Sequence, residues 1–204
     1  MWYLFFLGFS LISGSLFSGE ALKRLMDGNV RYVQDRLEHP NRTSESRTAA
    51  ADSQSPFAII VGCSDSRVAP EILFDQGIGD LFVVRVAGNV IGPIELDSVE
   101  YSALYLNSKV ILVMGHESCG AVDAVIQGKT KDIEAVAKII EPVVRKAKKT
   151  KSPDLLNVCI KKNALNMKEF LKNSPSIRKL VQEGKIEVEA AYYNLNTGVV
   201  EILN

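Results

Sequence analysis

Two short stretches carry the residues that could do chemistry. Cys63-Ser64-Asp65-Ser66-Arg67 follows one apolar run, and His116-Glu117-Ser118-Cys119-Gly120 follows another. Cys63, His116 and Cys119 offer two thiolates and an imidazole, the donors that zinc prefers. The His-x-x-Cys spacing sets two donors on one turn and places Cys119 at a predicted helix entrance, where the dipole favours a thiolate. Three protein ligands leave one tetrahedral position free, which marks catalytic rather than structural zinc. Such a metal brings the pKa of water to about 7. Asp65 and Arg67 stand two apart, on the same side of an extended chain. Paired, the carboxylate stays ionised: Asp65 can orient the attacking hydroxide while Arg67 keeps it off the metal. Released from Arg67, Asp65 becomes the fourth ligand and closes the site.

Each piece alone is ordinary, since a buried cysteine usually serves packing. The combination favours a metal. A thiol redox pair is disfavoured by the absence of Cys-x-x-Cys. The third cysteine, Cys159, lies in Leu155-Leu156-Asn157-Val158-Cys159-Ile160 and reads as a packing thiol. His39 is the only other histidine; it reads as a helix-end residue, with a surface proton shuttle as the alternative.

The elements that must position these residues are legible as alternating patterns. Phe57–Gly62, Leu81–Val86 and Val110–Gly115 are short continuous apolar runs, the signature of strands buried on both faces. Ile186–Tyr193 predicts a fourth strand, and Val199–Leu203, after Asn196-Thr197-Gly198, an antiparallel partner for it. Helical patterns lie between them, at Pro93–Leu106, Ala121–Gln127, Asp132–Lys148, Pro153–Asn173 and Ser176–Gln182. The expectation is an α/β fold: a mostly parallel four-stranded sheet, an added antiparallel edge strand, helices on both faces and an N-terminal helical arm. Both motifs then sit beyond the carboxyl ends of strands, where open α/β sheets build their sites. A glycine precedes each motif and permits a tight backbone path.

The N-terminal arm spans Ser18–Arg36, as one amphipathic helix or a helix pair broken at Gly28, with His39-Pro40 as its stop. Its apolar face needs a partner, either the chain's own core or another subunit. Asn41–Ser55 reads as a surface loop or short helix. Residues 1–19 carry no charged side chain and pass from an apolar run to Ser and Gly. They read as a signal peptide without the usual basic start, so export to a bacterial periplasm is expected, with a cytoplasmic location as the alternative. Residues 20–204 form one domain, large enough for a sizeable core. The 24 Lys and Arg balance 24 Asp and Glu, so no basic field draws nucleic acid. The run Arg145–Lys151 reads as a solvated helix end. No stable membrane partner is expected.

At these motifs the sequence resembles the β-class carbonic anhydrases. The likeness runs from Cys63–Val68 and Gly115–Gly120 to Asp80–Arg85, Ala87-Gly88-Asn89, Gly184–Ile186 and Tyr193–Gly198. It implies one zinc per chain on Cys63, His116 and Cys119, with Asp65 and Arg67 as the orienting dyad. Gln54, Phe82 and Tyr101 match the substrate pocket of the plant-type, open-site branch, with Gly120 beside them. Chemistry alone makes Phe82 and Tyr101 core residues and Gln54 a loop residue. The resemblance places Phe82, with Gln54 and Tyr101, across a subunit interface, so a homodimer or higher oligomer is the active unit. Val86 departs from the pattern, where many members carry Asn. The implied reaction is reversible hydration of carbon dioxide to bicarbonate and a proton. Hydrolysis of carbonyl sulfide or carbon disulfide is a related alternative, and a zinc protein without turnover is another. A structural site needs no Asp65, Arg67 or Gln54. No Gly-x-Gly-x-x-Gly follows the first strand, which argues against nucleotide binding.

Overall fold

The computed structural model describes residues 11–204. Five strands form one sheet in the order β2-β1-β3-β4-β5. They are β1 (Ala58–Gly62), β2 (Leu81–Arg85), β3 (Val110–His116), β4 (Glu187–Tyr193) and β5 (Val200–Leu203). β1 pairs in parallel with β2 and β3, β3 in parallel with β4, and β5 antiparallel to β4. This is the sheet expected from the sequence. β1 and β3 are buried at every residue, which is why they read as unbroken apolar runs rather than alternations.

Alternate strand residues feed two cores. Ile59, Val61, Ile111 and Val113 pack with α4 (Pro93–Tyr105), α5 (Gly120–Gln127), α6 (Glu134–Lys148), α7 (Leu155–Asn173) and α8 (Pro175–Gln182). Ile60, Leu112 and Met114 face the other way, onto α1 (Leu11–Val33) and α3 (Pro70–Leu73). Cys159 lies fully buried in the first core, as its apolar setting predicted. A short α2 (Ser44–Ala49) occupies the polar stretch before β1.

Of the two readings of the arm the structure shows the single helix: α1 runs through Gly28 without a break and ends at Val33, short of the expected Arg36 and before His39-Pro40. Gly28 serves packing: a Cβ there would lie 1.8 Å from the Phe74 carbonyl oxygen. α3 was not foreseen, because four residues are too few to show a period. The leader expected over residues 1–19 falls outside the described residues as far as residue 10, and from Leu11 the chain is helical. Among the described residues, no helix is long and apolar enough to cross a membrane.

One buried charge ties α1 to the loop after α3. Asp75, fully buried, accepts from Arg31 Nε at 2.7 Å and from the Glu38 and His39 amides at 2.9 and 3.1 Å. Burial pushes its carboxyl up, but Arg31 and the two amides more than offset this, and the net direction is down. A depressed carboxyl stabilises the fold above its unfolded value of about 3.9 and loses that contribution as pH falls through the folded value. Asp75 also holds φ 46°, a region Asn tolerates. Asp75→Asn should therefore cost about 3 kcal/mol at neutral pH by removing one partner of a buried pair. Urea titrations of both proteins should show that deficit shrinking below about pH 4.

Candidate metal centre

β1 and β3 are neighbours in register, Val61 opposite Val113. Their carboxyl ends therefore share one edge of the sheet. Cys63 lies one residue beyond β1, His116 is the last residue of β3, and Cys119 caps the start of α5. Topology brings together three residues that the sequence holds up to 56 positions apart.

Their donor atoms all lie within 4.8 Å of one another, and all three residues are buried. The two sulfurs are 4.0 Å apart; tetrahedral zinc with bonds of about 2.3 Å to sulfur sets two sulfurs about 3.8 Å apart. His116 Nδ1 lies 2.9 Å from the Glu117 carbonyl, which fixes the tautomer with Nδ1–H donating and Nε2 bare. That Nε2 is buried and has no hydrogen-bond partner among the described residues. An orphaned imidazole nitrogen facing two thiols is what a metal would satisfy.

The electrostatics agree. Hydrogen bonding with Cys119 is the largest influence on Cys63 and lowers its pKa, burial opposing and His116 and the Gly88 amide adding to the decrease. The same bond, with burial, pushes Cys119 up. Two buried sulfurs this close share one negative charge readily and a second only beside a cation. The site fits a thiophilic divalent ion such as zinc.

Asp65 lies at its rim, with Oδ2 3.8 Å from His116 Nε2. Arg67 grips it at both oxygens: its amide and Nε donate to Oδ1 at 2.9 Å each, and Nη2 to Oδ2 at 2.7 Å. The Arg67 guanidinium holds the Asp65 carboxyl far below the usual carboxylate range, against a smaller upward push from burial. Asp65 is thus a permanent acceptor beside the imidazole.

Supporting contacts that sequence reading did not foresee hold these loops. Arg85 Nε donates to the Cys63 carbonyl at 2.9 Å and Nη2 to the Asp65 carbonyl at 2.6 Å. A charge closing an otherwise apolar strand was its signal. Glu117 Oε2 accepts from the Leu195 amide and Asn196 Nδ2 at 3.0 and 2.9 Å, tying the His116 turn to the β4–β5 turn. Ser118 in that turn has φ 53°, a strained setting for a non-glycine residue. The glycine expectation holds in half. A Cβ on Gly115 would lie 2.9 Å from Ile160 Cγ2, whereas Gly62 has open space.

Gln54, Phe82 and Tyr101 lie elsewhere in the protomer. Gln54 precedes the amino end of β1, and β1 spans roughly 13 Å before Cys63. Phe82 pairs with Ile59, low on the same strand. Its ring centroid is 6.4 Å from that of Tyr101, which is 5.6 Å from Tyr105. Gln54, Tyr101 and Tyr105 line one surface hollow of about 690 Å³. Tyr101 is not a core residue but exposed, whereas Phe82, half-buried on edge strand β2, packs against the first core. Gly120, the first residue of α5, is exposed beside Cys119.

A sequence profile described as carbonic anhydrase matches residues 58–200. The chain is 52% identical over 106 residues to carbonic anhydrase 2 of Mycobacterium tuberculosis, covering 52% of this chain and 51% of that one. The match therefore spans about half the length of that relative. A carbonic anhydrase of Pseudomonas aeruginosa is 28% identical, over 90% of this chain and 88% of its own. A solved β-carbonic anhydrase of Aspergillus fumigatus superposes with a TM-score of 0.71 at 25% identity, covering 91% and 90% of the two chains.

Proposed function

The chain belongs to the β-carbonic anhydrase family, and on that premise we propose that it hydrates carbon dioxide reversibly to bicarbonate and a proton, with one zinc ion on Cys63, His116 and Cys119. The observation that carries this is the convergence of those three donors within 4.8 Å, with Asp65 Oδ2 3.8 Å from His116 Nε2. Zinc supplies a Lewis acid that lets water lose a proton near pH 7. The residues do the rest. Asp65, ionised in the Arg67 grip, only accepts, so it takes the O–H of the attacking oxygen and aims a lone pair at carbon. Arg67 keeps Asp65 from closing on the ligands. The free amide of Gly120, at the first turn of α5, faces developing negative charge favourably. Stopped-flow carbon dioxide hydration tests the reading. Zinc-loaded protein should turn over, chelator-stripped protein should not, and zinc should restore it; activity indifferent to zinc would refute it.

Gln54, Phe82 and Tyr101 join this account as residues offered to the site of a second subunit. Tyr101, Leu104, Tyr105 and Ile94 expose 47, 45, 75 and 77% of their surface along α4, and β2 leaves one edge of the sheet unpaired. A homodimer covers both, placing the Gln54 amide where it can donate to a substrate oxygen. Tyr105→Lys should weaken self-association by at least about thirtyfold, the mark of a central aromatic anchor, and lower hydration with it. Sedimentation at graded concentrations reads the first effect, and a variant as dimeric as the native protein would contradict it. We further read residues 1–19 as an export signal and 20–204 as the working domain, because charge begins only at Glu20. A mature exported protein beginning near Glu20 supports that; retention of Met1 opposes it.

A further inference from the structure

Cys63 has a second partner besides Cys119. The Gly88 amide donates to Cys63 Sγ at 3.2 Å, in a buried setting. Gly88 belongs to the 3-10 turn Ala87–Asn89 that follows β2, and it holds φ 69°. In that conformation a Cβ would lie 2.8 Å from Ile140 Cδ1 and 3.4 Å from Ala121 Cβ. The turn is therefore wedged between α5 and α6, and only glycine fits both the backbone angle and the space.

The turn is pinned from α7. Asn163 Nδ2 donates to the Gly88 carbonyl at 2.8 Å. Asn163 is fully buried on a helix face shared with Cys159, Ile160, Ala164 and Met167. Its Oδ1 is buried and has no partner among the described residues. A carboxamide with one end unsatisfied in an apolar core is costly. A residue kept there at such a cost is explained by its one bond, and that bond leads through Gly88 to a metal-ligand sulfur.

We propose that Asn163 is a positioning residue for the metal centre: by fixing the Gly88 peptide from α7, it aims the Gly88 amide at Cys63 Sγ and limits the charge that sulfur gives to the metal. This rests on the zinc reading above. An amide bond to sulfur withdraws electron density, so the thiolate is a weaker donor and the metal a stronger Lewis acid. Arg85 holds the Cys63 carbonyl from the solvent side, so the ligand loop is braced at both its backbone and its sulfur.

The test compares the native protein with Asn163→Ala, Asn163→Leu and Met167→Ala, the last as a core truncation on the same helix. Zinc affinity is read by chelator competition and thiolate donation by the sulfur-to-metal band of the Co2+-substituted protein. Both Asn163 variants should move the band to lower energy, because the sulfur then donates more, yet bind zinc about 10–100-fold more weakly, because the sulfur is no longer held in place. Met167→Ala should lower the melting temperature and change neither. Should the Asn163 variants not fold, the native protein loaded with Cd-113 decides: a scalar coupling between cadmium and the Gly88 amide proton is expected, and its absence removes the link. If the Asn163 variants melt early but keep native affinity and band, Asn163 merely satisfies a carbonyl and the inference fails alone. If the native protein takes up no zinc or Co2+, the zinc reading fails and the inference with it.

Discussion

Cys119→Ser should purify with less than about 0.1 zinc per chain and no hydration above the uncatalysed rate, because a site kept to two ligands loses most of a binding energy of about 10–16 kcal/mol. Cys119 is 1% exposed, with its sulfur 4.0 Å from that of Cys63. Serine fills the same space, but its hydroxyl stays protonated at neutral pH and cannot serve as an anionic ligand. The fold should survive, because the substitution removes no carbon from the first core. Cys159→Ser supplies the contrast. That thiol is equally buried but sits among apolar residues of α7. The variant should lose about 1–3 kcal/mol of stability by burying an unpaired hydroxyl while keeping its zinc and its turnover. Metal analysis beside stopped-flow rates reads both; zinc lost from Cys159→Ser and kept by Cys119→Ser would mean the ligands are wrongly assigned.

Asp65→Asn should keep zinc and lose about 10²–10⁴-fold in turnover, the range for a positioned proton-handling group. The substitution preserves size and removes charge. Arg67 then faces a neutral amide, and the acceptor beside His116 becomes part donor. Arg67→Ala reaches a similar rate by another route. With Oδ2 freed and Oδ1 kept only by the residue 67 amide, Asp65 is left 3.8 Å from His116 Nε2 and can turn onto the metal. Because both substitutions disable one dyad, the double variant should be little worse than either single one. Additive losses would show that Arg67 acts independently of Asp65.

The convergence of Cys63, His116 and Cys119 was legible because each lies at or just beyond the end of a strand buried on both faces. Such strands announce themselves as apolar runs, and their carboxyl ends must meet at one edge. The adjacency of β1 and β3, which turns two motifs into one site, is a matter of sheet order that no local pattern encodes. Gly28 left one helix or two open because a close approach to Phe74 and a helix break look alike in one dimension. Phe82 and Tyr101 read as core because aromatic residues at helical or strand spacing usually are; the structure bears this out in part for Phe82, which packs half-buried against the first core, and not for Tyr101, which is exposed on α4. Asn163 was invisible for a different reason. Its partner, Gly88, lies 75 residues away, and the bond runs to a backbone carbonyl that carries no side-chain signature.

The most direct test is a zinc-edge anomalous diffraction experiment on crystals of the zinc-loaded protein at neutral pH. A single peak per chain bonded to Cys63 Sγ, His116 Nε2 and Cys119 Sγ, with Asp65 still in the Arg67 fork and the fourth position free of protein, is the predicted result. A peak elsewhere in the chain, or Asp65 bound to the metal in active crystals, would contradict the account.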